Sequence, residues 1–205
     1  MSYGKYLLVF SALLAGCGDS GGDSAKSSSD DETQVQTQSV DAPTCTDTNQ
    51  TLPQCWASSC EPLESTDPKD VFYGRSVISF ASSGELRHYL QSFDNANCIA
   101  PAVSTTEIRS ELTYRLLPRD ENRDQSTTEG RIEFKMSEAS RERASESLNQ
   151  EIDGTVPTPY DITDQGLLCF DTDMISFSAS GWKMKFIGLP GIWIDYENCL
   201  SPVSV

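Results

Sequence analysis

The chain has 205 residues, with 31 acidic side chains against 15 basic ones, one histidine and seven cysteines. A net charge of −16 argues against nucleic acid as a partner, because binding phosphates needs clustered Lys and Arg, and against adsorption to anionic lipid by charge alone. A single histidine rules out metal sites built on two imidazoles and leaves only His88 for any histidine-based catalysis.

Residues 1–5 carry one positive charge, and Tyr6 to Ala15 is an apolar run of ten. A membrane-spanning helix needs about 20 apolar residues, so this run is too short to remain as a span. A positive start, a short apolar core and small residues before a cut describe a secretory signal peptide over residues 1–16. Leu14-Ala15-Gly16-Cys17 resembles the lipobox of bacterial lipoprotein signal peptides at all four positions. That resemblance implies a diacylglyceryl thioether on Cys17, cleavage before it and acylation of the new amine. Buried acyl chains contribute about 0.8 kcal/mol per methylene, enough for two or three chains to hold a protein on a bilayer. Gly18 stands where an aspartate would favour retention in the inner membrane. The resemblance therefore implies a lipid anchor in the outer membrane of the cell envelope.

Residues 17–44 are expected to be the lipidated cysteine followed by a disordered tether. Gly18 to Pro43 contains no aromatic residue, Leu, Ile or Met, and sets six acids against Lys26. Such a stretch cannot bury enough apolar surface to offset its ordering entropy. As a flexible coil it spans about 30 Å, and repulsion between its acids lengthens it.

Residues 45–205 are expected to form one β domain, large enough for a sizeable core. Its dominant signal is alternation with period two. Ile108, Ser110, Leu112, Tyr114 and Leu116 share a face; Ile132, Phe134 and Met136 do the same, as do Trp182, Met184 and Phe186. These are half-buried strands of antiparallel sheets. Further strands are expected at 71–80, 85–93, 166–170, 174–180 and 192–197, separated by turns such as Ser82-Ser83-Gly84 and Ser180-Gly181. Residues 137–150 fit a short surface helix or an irregular excursion, which Pro157 and Pro159 would end. About eight antiparallel strands in meander order must hide their edges, by closing into a small barrel or packing as a β-sandwich. With Trp56 ahead of the meander, in Gln54-Cys55-Trp56, the domain resembles small lipocalin-like bacterial lipoproteins. The barrel is the expected form.

Without Cys17, six cysteines remain, an even number that reads as three disulfides in an exported domain. Chain order and strand geometry pair Cys45 with Cys55, Cys60 with Cys98, and Cys169 with Cys199. Zinc is the competing reading, but Cys55-x4-Cys60 is wider than a usual knuckle and has no second close pair.

Catalytic and cofactor signatures are missing. The sequence has no Gly-x-Ser-x-Gly elbow, phosphate loop, dinucleotide fingerprint or EF-hand loop. His88 shares a strand face with Leu86 and Leu90 and reads as a core-edge histidine. Asp171, Asp173, Asp195 and Glu197 would approach one another if Cys169 pairs with Cys199, which makes Ca²⁺ a conditional thought; a plain Asp turn is the simpler reading. Tyr73, Tyr89, Tyr114, Trp182 and Trp193 lie on expected strands, where aromatics usually pack in cores. No catalytic, cofactor or metal residue is assigned. The expected function is a binding module for a small apolar or amphipathic ligand. An envelope interaction domain with a filled core is the alternative, and a hydrolase comes third.

Overall fold

The computed structural model describes residues 37–40, 42–63, 71–108, 112–148, 151–184 and 193–203. The signal peptide, Cys17 and most of the expected tether lie outside these residues, as do Ser110, Phe186 and Ile192.

The larger sheet is built from β1 (Thr37–Ser39), β2 (Cys55–Ala57), β3 (Glu61–Pro62), β4 (Tyr73–Phe80), β5 (Leu86–Phe93) and β6 (Ser104–Ile108). The smaller sheet contains β7 (Leu112–Pro118), β8 (Gly130–Met136), β9 (Thr155–Ile162) and β10 (Leu168–Phe170), with helix α1 (Glu138–Leu148) between β8 and β9. A hairpin of β11 (Ile175–Ser178) and β12 (Gly181–Met184) follows, and β13 (Ser201–Pro202) returns to the larger sheet. The larger sheet runs β1-β6-β5-β4-β2-β13 with β3 also on β4, the smaller runs β10-β9-β8-β7, and every pairing is antiparallel.

The fold is all-β and disulfide-stapled, but the expected lipocalin-like barrel does not form. Among the described residues the two sheets meet edge to edge only through single bridges, Glu85 to Thr113 and Leu168 to Leu200, and not through a ladder. A barrel needs a continuous ladder with a consistent stagger, and strands as short as β10 and β13 cannot supply one. The open sheets instead share one filled core. Trp56, Ile78 and Phe80 come from the larger sheet, and Tyr114, Ile132 and Phe134 from the smaller. This common core is the arrangement expected of the sandwich alternative.

Four further expectations change. The alternation from Ile108 to Leu116 spans two strands: β6 ends at Ile108 in one sheet and β7 starts at Leu112 in the other. Leu112 joins the shared core, and Ile108 is buried beside its strand partner His88. Secondly, Pro157 and Pro159 lie inside β9 instead of ending an element. The Met136 N–H donates to the Gly154 carbonyl at 2.8 Å, so in the β8–β9 register even-numbered β9 residues exchange the ladder bonds. The prolines take the alternate positions, turned toward β10, whose ladder reaches only Tyr160. Thirdly, Trp193 to Glu197 is not a strand, and Trp193 is 66% exposed. Lastly, Thr37 to Ser39, expected in the tether, pairs with β6 as an edge strand, so ordered chain begins before residue 45.

Residues 138–148 take the helical option. Ser137 caps the helix, its Oγ accepting the Ser140 N–H at 3.2 Å, while Ser140 and Ala144 turn inward. On the outer face of the larger sheet, Cys55, Ala57, Val77 and Tyr89 form a second cluster covered by Val40, Cys45 and Val203. All three expected disulfides are present: Cys45–Cys55, Cys60–Cys98 and Cys169–Cys199.

Candidate functional site

A cleft of about 330 Å³ opens where the larger sheet, the β11–β12 hairpin and the returning C-terminal segment meet. Its walls come from three distant stretches: Ser58, Ser59 and Glu61 after β2; Phe170 to Ser178 from β10 through β11; and Asn198 to Leu200. Each wall is fixed by its own bonds. The Ser58 N–H donates to the Ser76 carbonyl at 2.9 Å, and the Ser76 N–H donates to Ser58 Oγ at 3.0 Å. Leu168 and Leu200 exchange backbone bonds of 3.0 and 2.8 Å, with the Cys169–Cys199 disulfide beside them. The Thr172 hydroxyl donates to Asp195, tying the β10–β11 turn to the C-terminal segment.

Gly74 seats the hairpin on β4. A Cβ there would lie 3.1 Å from the Ala179 Cβ and 2.8 Å from Leu63 Cδ2. Only a residue without a side chain lets the hairpin turn approach this closely.

The lining pairs hydroxyls with an apolar floor. Ser58, Ser59, Thr172, Ser176 and Ser178 supply hydroxyls, Asn198 an amide and Glu61 a carboxylate; among the described residues none of the lining is a cation. Phe170, Phe177 and Leu200 form the floor, and the two rings meet edge to face with centroids 6.1 Å apart. The cleft is braced by a disulfide and these hydrogen bonds, polar at its rim and apolar beneath.

No protein family, curated protein or solved structure matches this chain.

His88 lies just behind the cleft. It is 3% exposed, on the same face as Leu86 as the alternation predicted, with its ring edge-on to Phe177. Ser76 Oγ stands 2.8 Å from His88 Nε2 and 2.5 Å from the Ser178 carbonyl. The carbonyl can only accept, so the one hydroxyl proton goes to it, and the imidazole must donate from Nε2. Nδ1 is then a bare acceptor, buried without a hydrogen-bond partner among the described residues. Burial pushes the His88 pKa down to about 4. In this tautomer His88 has no lone pair aimed at Ser76, so the pair lacks the polarity of a base and nucleophile.

Of the four carboxylates considered for calcium, Asp171 and Asp195 serve as local hydrogen-bond acceptors, and Asp173 and Glu197 enter those bonds through their backbone N–H groups. Asp171 Oδ1 accepts the Asp173 N–H at 3.0 Å, and Asp195 Oδ1 accepts the Glu197 N–H at 2.9 Å. The Thr172 hydroxyl and the Asn198 amide hold the Asp195 carboxyl below its usual range. Among the described residues no group of three or more potential ligands could hold a metal. Of the aromatics, Tyr89, Tyr114 and Trp182 are buried and Tyr73 is half-buried.

Of the cleft residues, the sequence singled out only Cys199, and that as a disulfide partner. One usable signal was there: the Cys169–Cys199 pairing already implies that Phe170 and Thr172 lie beside Asn198. The contribution of Ser58 to Glu61 had no comparable signature.

Proposed function

We propose that the chain is a lipid-anchored binding protein of a bacterial outer membrane, held by an acylated Cys17 and taking a small polar ligand in the surface cleft. The lipobox resemblance of Leu14 to Cys17 supports the anchor. The observation that carries the binding reading is the cleft itself, which sets several hydroxyls, an amide and a carboxylate above an apolar floor, a lining more polar than is usual for small-molecule sites. An apolar ligand would need interior space, and that space is occupied by Trp56, Phe80, Phe134 and Phe170. Binding therefore belongs at the surface, with polar groups giving the orientation.

Two measurements test this. A Cys17→Ser chain should leave the membrane fraction on carbonate washing, and one that stays bound contradicts the anchor. Native mass spectrometry of the membrane-extracted chain should show a small noncovalent adduct that Ser176→Trp, which fills the cleft, removes. An adduct retained by that variant contradicts the cleft.

One observation favours a second reading, docking of another envelope protein. Val71, Phe72, Ile99 and Val103 are all exposed, and they group at the end of the larger sheet where Tyr73 pairs with Phe93. Exposed apolar groups gathered this way mark interaction surfaces.

A further inference from the structure

We infer that the ligand of this cleft is a neutral saccharide, bound through one sugar ring; the inference rests on the cleft being the binding site. The first argument is charge. Among the described residues no lining side chain is Lys, Arg or His, and the chain carries a net charge of −16. Anionic ligands such as phosphates or carboxylates would find no counter-charge there and would be repelled. A metal ion is equally unsuited, since Glu61 is the one charged side chain of the lining among the described residues.

The second argument is hydrogen-bond capacity. Ser58 Oγ, Thr172 and Ser178 are engaged within the protein. Ser59, Ser176 and Glu61 make no side-chain hydrogen bond among the described residues, and all three line the cleft. They offer two hydroxyls, each able to donate and accept, and a carboxylate that accepts from two hydroxyls. A polyol carries the matching set. An ammonium group could donate to Glu61 and to the hydroxyl oxygens but would leave the donor capacity of both hydroxyls unused, and an extended peptide would want an open strand edge.

The third argument is shape. A pyranose has a face of C–H groups and a rim of hydroxyls, and the cleft has the apolar floor of Phe170, Phe177 and Leu200 beneath a polar rim. Its volume of about 330 Å³ is at the small end for ligand pockets. That suits one ring with its substituents and excludes a lipid chain.

The test is equilibrium dialysis of the full chain, extracted in a detergent without a sugar headgroup, against glucose, N-acetylglucosamine and maltose. Choline and a lysine-containing tripeptide serve as probes of the rival classes. The inference predicts that at least one sugar is retained, that Glu61→Gln and Ser176→Ala each weaken retention about tenfold, and that Val103→Ser at the far apolar end leaves it unchanged. Circular dichroism and melting identify any variant that loses binding by unfolding. If choline or the tripeptide binds with that variant dependence and no sugar does, the saccharide inference is overturned and the cleft reading stands. If nothing binds, or the variants change nothing, both are overturned.

Discussion

Ser76 Oγ bonds to the Ser178 carbonyl and to His88 Nε2 at once, joining β4, β5 and β11 at a single hydroxyl. That hydroxyl lies immediately behind two cleft-lining residues, Ser58 and Ser178. Core and site are thus coupled through one small buried network, and small buried networks are energetically sensitive.

The first expectation concerns pH. Burial lowers the His88 pKa from 6.5 in the unfolded chain to about 4 in the folded one. Between those values the unfolded chain takes up a proton and the folded chain does not, so acid favours unfolding. The contribution of neutral His88 is complete above pH 6.5 and is lost as pH falls toward 4, amounting to about 3 kcal/mol in all. Urea denaturation at steps from pH 7.5 to 4.5 should show wild type losing this stability relative to His88→Asn. Parallel curves for the two proteins would refute it.

A second expectation concerns the disulfide beside the cleft. Cys169–Cys199 closes a separation of 30 residues, which corresponds to about 3–4 kcal/mol of unfolded-chain entropy. Replacing both cysteines with serine should lower unfolding free energy by that amount and free the Asn198 wall, abolishing ligand retention. Replacing Cys45 and Cys55, separated by 10 residues on the opposite face, should cost about 3 kcal/mol and leave retention intact. Equal loss of binding in both variants would mean that global stability, not the local wall, governs the site.

Gly74→Val provides a third. The added side chain meets Ala179 and Leu63, and overpacking of this kind costs about 1–3 kcal/mol. The hairpin should lift from β4, so hydrogen exchange should accelerate in Ile175 to Met184 and stay slow in β8. A variant with unaltered exchange and melting would show that the hairpin does not depend on this close approach.

Much of the fold was legible because burial imposes period two wherever one sheet face is wet. β8 and the Trp182–Met184 part of β12 lie where alternation places them, and β4 and β5 lie within the strands that the turn signals bounded. Cysteine pairing was legible from chain order and the expected strand geometry. Other features had no such signal. In β1, Thr-Gln-Ser has no apolar residue, and its pairing comes from lying along β6. In β9, two prolines mask a strand whose register happens to spare their missing N–H groups. Trp193 to Glu197 alternates as a strand would, yet it runs along the surface, with the Asp195 N–H on the Phe170 carbonyl at 3.2 Å. Closure into a barrel also depends on strand lengths at the edges, which periodicity does not reveal. The cleft was least legible of all, because Ser59, Ser176 and Asn198 become neighbours only through tertiary contacts.

Hydrogen exchange of the full chain, with and without the small-molecule fraction of a cell-envelope extract, tests the central claim most directly. The account predicts that ligand slows exchange in Ser58 to Glu61, Thr172 to Ser178 and Asn198 to Leu200 together, while β7 and β8 are unaffected. Protection confined to Val71 to Tyr73 and Ile99 to Val103, or no protection anywhere, would contradict it.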